Sequence, residues 1–334
     1  MNIAVVILNW NGRSLLETFL PSVITHTQNA KIYVADNAST DDSIAFLKAV
    51  YPQLTIIQHP VNKGFAKGYN DALNHVDADI YCLLNSDVEV SPNWLEPVLD
   101  IFRTDPNVAV VQPKLLDYNQ KNYFEYAGAA GGFIDSFGYP FCRGRIFNTI
   151  EKDHGQYNDT RHIFWASGAC FFIRSTVFKQ LGGFDEDYFA HQEEIDLCWR
   201  VQHLGFNICY TGKSAVYHVG GATLKTTHPG KTFLNFRNSL FSLAKNLPRN
   251  TVAPTIFARL VLDAFAGIQF LLQGKPKHLF AIIKAHFSFF TQLKKMLNKR
   301  PHSNPNSTYY HTKSIVWSYF IRQKRYFRQI TTVE

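Results

Sequence analysis

The chain has few of the features that would assign a function quickly. Its five cysteines, Cys82, Cys142, Cys170, Cys198 and Cys209, include no CxxC pair. An odd, scattered set in a chain of this length reads as reduced thiols of a cytosolic compartment. No GxGxxG follows the first apolar run, where the turn reads NWNGR, and no GxxxxGK followed by Ser or Thr occurs anywhere. Glycine-rich phosphate cradles of the dinucleotide and P-loop kinds are thereby excluded. The opening MNIAVVILNWNG holds six consecutive apolar residues, 3–8, with no basic stretch before them; that is too short for a signal peptide and reads as a buried strand. Nothing in residues 1–250 is long and apolar enough to span a bilayer. The sharpest deficit is of acid in the last third. Residues 231–334 carry 17 Lys and Arg against 2 Asp and Glu, whereas residues 1–230 carry 17 against 24. The net charge of +8 therefore belongs to the tail, an asymmetry that points to an anionic surface, either phospholipid or nucleic acid.

What is present is an alternation. Short apolar runs at 3–8, 32–35, 54–58, 80–84 and 108–112 are separated by amphipathic stretches near 14–26, 41–50, 66–76 and 93–103. This predicts an α/β fold with a mostly parallel, Rossmann-like sheet flanked by helices. Ligands of such sheets bind at the C-terminal ends of the strands. Those ends read Asn9, Trp10, Asn11; Asp36, Asn37; Asn62, Lys63, Gly64; and Asn85, Ser86, Asp87, so four polar loops are expected on one rim. Residues 117–160 show no period and are expected to be irregular. A strand, a short helix over 175–181, a helix over 192–204 and a strand over 207–211 follow. From about 231 the segments 255–273, 278–290 and 314–330 are aromatic and basic, which predicts a helical tail, with a linker at 300–307. Arg259 and Asp263, four residues apart, suit a packed or interfacial helix better than a span. The division expected is 1–115, 116–240 and 241–334.

Without a glycine-rich cradle, a nucleoside diphosphate is held through a divalent metal on one or two carboxylates. Asp87 at a strand tip suits that role, although an isolated NSD more often makes a cap or turn.

The motifs VVILNWNG, VADNASTDDS, NKGFAKGYNDAL and LLNSDVEV, followed by GFDEDYFAHQEEIDLCWRVQHLGF and AVYHVGG, resemble family 2 glycosyltransferases of the GT-A fold, particularly rhamnosyltransferase-like members. The resemblance implies that Asp36, with Asn9, Asn11 and Asn37, contacts the base and ribose of a nucleotide-sugar. Lys63 and Gly64 would lie beside the donor, with Asn70 bracing that loop. Asn85, Ser86 and Asp87 stand in the place of the DxD motif, and Asn85 replaces its first acid. The implied cofactor is Mn²⁺ or Mg²⁺, on Asp87 and His218. In HQEEIDLCWR, helical spacing lets Asp196 pair with Arg200 and turns Glu194 about 100° from Glu193. Asp196 and Arg200 read as structural, and one glutamate faces the cleft. The family's pattern selects Glu194 as the base, with Glu193 in reserve. Trp165, Gly168, Ala169 and Asp185 would meet the acceptor, Trp165 either as a sugar-stacking face or as a core ring.

The expected partners are a nucleotide-sugar, with dTDP-rhamnose favoured and a UDP-sugar next, and a saccharide or polyprenyl-linked acceptor. The tail is expected at an anionic membrane surface, with no nucleic acid and with a homo-oligomer allowed, which places the protein at the inner face of the cytoplasmic membrane. A sugar nucleotidyltransferase would need a glycine-rich basic loop where NWNGR stands. A nucleic-acid-binding protein using the tail leaves the polar rim unexplained.

Overall fold

The computed structural model describes residues 1–220, 228–301 and 309–330. Its first half alternates strands and helices: β1 (Ile3–Asn9), α1 (Arg13–His26), β2 (Lys31–Asp36), α2 (Ser43–Val50), β3 (Thr55–Gln58), α3 (Gly64–Leu73), β4 (Ile80–Asn85), β5 (Val88–Val90), α4 (Glu96–Thr104) and β6 (Val108–Asp117). Successive residues of β1 serve opposite faces of the sheet, as the pleat requires. Ile3, Val5 and Ile7 pack with Leu16 and Leu20 of α1 and Leu47 of α2, while Ala4 and Val6 pack with Ala66, Tyr69 and Ala72 of α3. A strand covered on both faces has no polar position to spare, hence the unbroken apolar runs.

Residues 118–131 and 151–159 are irregular, as expected, but between them 132–150 form a four-stranded antiparallel sheet, β7 (Gly132–Ile134), β8 (Pro140–Cys142), β9 (Arg145–Ile146) and β10 (Thr149–Ile150). Strands of two or three residues are too short to show an alternation. Then come β11 (Thr160–His162), β12 (Cys170–Arg174), α5 (Ser175–Gln180), α6 (Glu193–His203) and β13 (Asn207–His218). The large sheet runs β11-β13-β6-β12-β4-β1-β2-β3, with β5 added against β13. Strands β4, β1, β2 and β3 are parallel, and β12 inserts antiparallel between β4 and β6. The expected strand 207–211 continues past a bulge between Thr211 and Ala215 as far as His218.

The tail contributes α7 (Pro229–Asn246), α8 (Arg249–Leu272) and α9 (Pro276–Asn298). The boundary expected at 240 falls inside α7, whose Leu240, Phe241 and Leu243 belong to the main core. Phe289 of α9 meets Phe241 at 6.2 Å between ring centroids. The stretch 314–330 is not one helix: it holds a π-turn, Trp317–Ile321, and a 3₁₀ turn, Phe327–Gln329. It folds back on the small sheet, where Ile315 N donates to Asp135 Oδ2 at 2.9 Å. The linker expected at 300–307 lies largely outside the described residues.

Candidate active site

Register brings the rim together: Asn9 of β1 stands beside Asp36 of β2, and Leu8 beside Asn85 of β4. Asp36 is buried and accepts from Asn9 Nδ2 at 3.1 Å, from Ser39 Oγ at 2.5 Å and from Ser39 N at 2.9 Å. It is thus a turn-capping residue and a rim carboxylate at once. Asn11, with φ 49°, accepts from Thr40 N at 2.7 Å. Gly12 is needed here because a Cβ would sit 2.4 Å from Asn9 Oδ1. That oxygen and Asn37 Oδ1 are buried without a protein donor, the kind of orphan a bound group satisfies.

Asn37 Nδ2 donates to Asn62 Oδ1 and to the Gly64 carbonyl, both at 3.0 Å, and so ties the NKG loop to the rim. Lys63 and Asn70 have protein partners of their own. Lys63 is exposed, with its Nζ 3.4 Å from Asp71. Asn70 spends both ends of its amide on the backbone of Phe184, at 2.9 Å each.

Asp87 follows β4 and precedes β5, and β5 pairs with β13 so that Val88 faces His218. Asp87 Oδ1 lies 3.1 Å from His218 Nε2, and Glu125 Oε1 lies 3.3 Å from His218 Nδ1, all three side chains being buried. Burial disfavours charge on His218, yet Asp87 and Glu125 outweigh it and raise the imidazole to about 10. Asp87 is likewise pushed up by burial but held below the usual carboxylate range by His218. Glu125 carries no sequence signal: it reaches the site because β13 pairs with β6, which sets His218 opposite Asp117, and because the chain after β6 folds back so that Glu125 N donates to the Leu115 carbonyl at 3.0 Å. Among the described residues no group of three or more His, Cys, Asp or Glu makes a ready cage for a metal. Asp87 and His218, 3.1 Å apart as an ion pair, are nonetheless donor types a divalent cation accepts, and a cation bound there would displace the proton between them, since a ligating imidazole is neutral.

α6 is entered through an unusual turn. Phe189, His191 and Gln192 have φ of 65°, 68° and 73°, a left-handed region that non-glycine residues occupy only when held there. Asn238 and Arg237 of α7 donate to the carbonyls of this segment. From the other side, Phe65 N donates to the Phe189 carbonyl at 2.8 Å, and a Cβ on Gly64 would meet the Phe189 ring and carbonyl at 2.6 Å. The turn is therefore built onto the polar rim through Asn37, Gly64 and Phe65. It delivers Glu193, which is buried, and Glu194, which is half-buried. Oε2 of each is buried without a protein donor. Burial raises Glu194 to about 7; burial and the neighbouring Glu194 push Glu193 well above its ordinary value. Burial and Lys231 bring nearby His191 down to about 4, so it is neutral.

Asp196, in contrast, is pinned by Arg200 Nε at 2.8 Å, Lys245 Nζ at 2.9 Å and Asn246 Nδ2 at 2.9 Å. Burial opposes its charge, but Lys245 and Arg200 hold it far below the carboxylate range. Asp196 and Arg200 are structural, as helical spacing indicated.

The acceptor expectations are corrected in part. Trp165 is a core ring: it is buried, its Nε1 donates to the Phe133 carbonyl at 2.9 Å, and a Cβ on Gly132 would come within 2.1 Å of it. Asp185 is committed to Lys245 at 2.6 Å and Lys299 at 2.5 Å, and caps the 3₁₀ turn Glu186–Tyr188. A cavity of about 550 Å³ behind this turn is lined by Asp185, Asp187, Lys245 and Lys299, and neither Asp87 nor Glu194 reaches it. Gly168 lies against Phe65, and the Ala169 carbonyl accepts from Asn85 N at 2.9 Å, which fixes the NSD turn.

Comparison with known proteins identifies the family and the fold. The model of Glycosyl transferase family 2 matches residues 4–182. An N-acetylglucosaminyl-diphospho-decaprenol L-rhamnosyltransferase of Mycobacterium tuberculosis is 26% identical over 229 residues, covering 64% of this chain and 75% of that protein. The O-antigen biosynthesis protein RfbC of Myxococcus xanthus is 28% identical over 211 residues, 61% of this chain but 16% of its own length. Among solved structures, S. aureus TarS 1-349 aligns with a TM-score of 0.54 at 14% identity, covering 98% of this chain and 93% of that one. GalNAc-T7 with UDP, GalNAc and Mn²⁺ aligns with a TM-score of 0.58 at 16% identity, covering 73% of this chain and 47% of that one. At such identities the structural likeness concerns the fold. With a family model spanning more than half its length, the chain belongs to glycosyl transferase family 2 and has the GT-A fold.

Proposed function

We propose that the chain is an inverting glycosyltransferase moving one sugar from a nucleoside-diphosphate donor to a hydroxyl of a saccharide or polyprenyl-linked acceptor, in cell-surface polysaccharide synthesis. The observation that carries this reading is Glu194, a half-buried carboxyl near neutrality, with one oxygen unpartnered and its entry turn built onto the donor rim. A base is most effective when its pKa lies near the working pH. In the reaction the acceptor oxygen bonds to the anomeric carbon as the bond from that carbon to the diphosphate breaks. The bonding pair leaves with the nucleoside diphosphate, and the hydroxyl proton passes to Glu194.

Asp36, Asn9 and Asn37 would receive the N–H and hydroxyl donors of base and ribose, with Asn11 and Gly64 shaping the same loops. Asp87 and His218 would hold Mn²⁺ or Mg²⁺, which when bound offsets charge on the leaving diphosphate. The favoured donor is dTDP-rhamnose, and a UDP-sugar is next; the mycobacterial relative, an L-rhamnosyltransferase, supports rhamnose as the sugar. A lipid-linked acceptor would set the enzyme at the inner face of the cytoplasmic membrane. Residues 1–115 and 116–240 would be the donor and acceptor halves, with α7 shared between the second half and the tail.

The test supplies purified protein with dTDP-rhamnose or UDP-sugars, Mn²⁺ and a polyprenyl-diphosphate acceptor. An inverted glycoside by NMR, lost in Glu194→Gln, is expected. A retained configuration would reject the mechanism.

A further inference from the structure

Helices α8 and α9 each present an exposed apolar face opposite the one that the fold buries. On α8 the buried stripe is Val252, Ile256, Arg259, Asp263 and Gly267. At about 100° per residue, Phe257, Val261, Phe265, Ile268 and Leu272 lie on the opposite side. On α9, buried Ala281, Ile282, Ala285 and Phe289 are opposed in the same way by Phe280, Ile283, Phe287 and Phe290. Phe257, Phe265, Phe280 and Phe287 expose between 65% and 72% of their surface, and Leu272 exposes 84%. Two adjoining helices with such faces bare to water are more than a soluble monomer normally shows.

Charge selects the occupant. The sole acid between residues 231 and 330 is Asp263, and it is buried among Tyr139 Oη at 3.0 Å, His286 Nε2 at 3.1 Å and Arg259 Nε at 3.4 Å. The exposed charges around the patch are therefore cationic: Lys275 and Lys277 at the turn between the helices, Lys284 and Lys294 along α9. A second copy would bring two cationic surfaces together, whereas an anionic leaflet is complementary.

Depth is set by the inner face. α8 has 24 residues and is long and apolar enough to cross a bilayer by length and composition. At its middle, however, Arg259 Nη1 donates to the Phe137 carbonyl and Nη2 to Ser239 Oγ, both at 2.9 Å. Pulling this pair into hydrocarbon would strip it of these partners. We propose that the α8–α9 hairpin docks flat in the interface of an anionic leaflet, with its outer phenylalanines among the acyl chains and its lysines at the headgroup phosphates. The inference shares a membrane with the reading of a lipid-linked acceptor, but its test needs no substrate, so the two fail separately.

The test is flotation of the purified full chain with vesicles of phosphatidylcholine alone or mixed with phosphatidylglycerol in equal parts. Flotation with the mixed vesicles and not with phosphatidylcholine alone is expected. The exposed-site pairs Phe265→Ser with Phe287→Ser, and Lys275→Glu with Lys277→Glu, should each lower vesicle partition about tenfold or more with unchanged thermal unfolding. Sedimentation away from both vesicles, or undiminished flotation of the phenylalanine variant, would overturn the proposal. So would a dimer in light scattering that the phenylalanine variant converts to a monomer, since a second copy would then cover the face.

Discussion

Asn238 Nδ2, on α7, lies 2.7 Å from the main-chain oxygen of His191, two residues before Glu193. The same amide lies 3.0 Å from the oxygens of Tyr188 and Ala190. One tail side chain thus holds the left-handed turn from which both glutamates project. Asn238→Ala leaves the half-buried carbonyls of Ala190 and His191 without this donor, while the Tyr188 carbonyl keeps Arg237 Nη2 at 3.2 Å, a loss of about 1 kcal/mol per bond. We expect a lower Tm, and a kcat reduced about ten- to a hundredfold at nearly constant donor KM, because misplacement by about 1 Å is enough for that. A kcat equal to the parent's would remove the positioning role.

Glu194→Gln keeps the shape of the side chain and removes the proton acceptor. Transfer should fall about 10²-fold or more, with nucleotide binding unchanged. Glu193→Gln, in a sealed position, should cost less. If Glu194→Gln kept more than about a tenth of the activity, less than a general base normally contributes, the role would move to Glu193.

The raised Glu194 carboxyl makes activity and stability respond oppositely to pH. The base must be ionised, so kcat should climb as pH rises through about 7. For stability, the folded state holds this proton to a higher pH than the unfolded chain does. Stability is therefore lost as pH rises from the ordinary value of 4.5 to about 7. Glu194→Gln abolishes that loss and should unfold at a higher temperature than the parent at mildly alkaline pH. An equal or lower Tm there would contradict the assignment.

Asp87 is testable through nucleotide binding alone. Thermal unfolding with UDP, GDP, dTDP and CDP, with and without Mn²⁺, should show a Mn²⁺-dependent shift for one nucleotide. Asp87→Ala should abolish the Mn²⁺-dependent part and spare the rest. A shift equal in both proteins would reduce Asp87 to a turn residue.

Asp135 should tie the C-terminal segment to the small sheet. Its carboxylate accepts from Phe137 N at 3.0 Å, Tyr139 N at 2.8 Å and Ile315 N at 2.9 Å. Asp135→Ala should lower Tm and speed limited proteolysis within residues 309–330. Unchanged cleavage would show that the aromatic packing of His311 and Phe327 on Phe133 suffices.

The rim was legible because β1, β2 and β4 are covered on both faces and write themselves as unbroken apolar runs ending in polar residues. The pairing of Asp196 with Arg200 was legible because it is local to one helix. Glu125 was not, since it comes beside His218 through the long-range pairing of β6 with β13 and the fold-back of the chain after β6. Trp165 was undecidable, because whether its ring meets sugar or core depends on Gly132, thirty-three residues earlier. Asn238 was overlooked for a different reason: the tail announced itself through lysine and phenylalanine, and one asparagine among them carries no pattern.

Lys245 of α7 reaches both Asp185, ahead of the turn, and Asp196, within α6, and this governs how the chain can be recombined with its relatives. A chimera that exchanges tails at residue 240 would inherit α6 from one parent and the cation that neutralises it from another. A seam near Leu247 and Pro248 keeps Asn238, Lys245 and Asn246 with their own catalytic half, and leaves the Lys299–Asp185 pair and the Phe241–Phe289 contact to be matched across it.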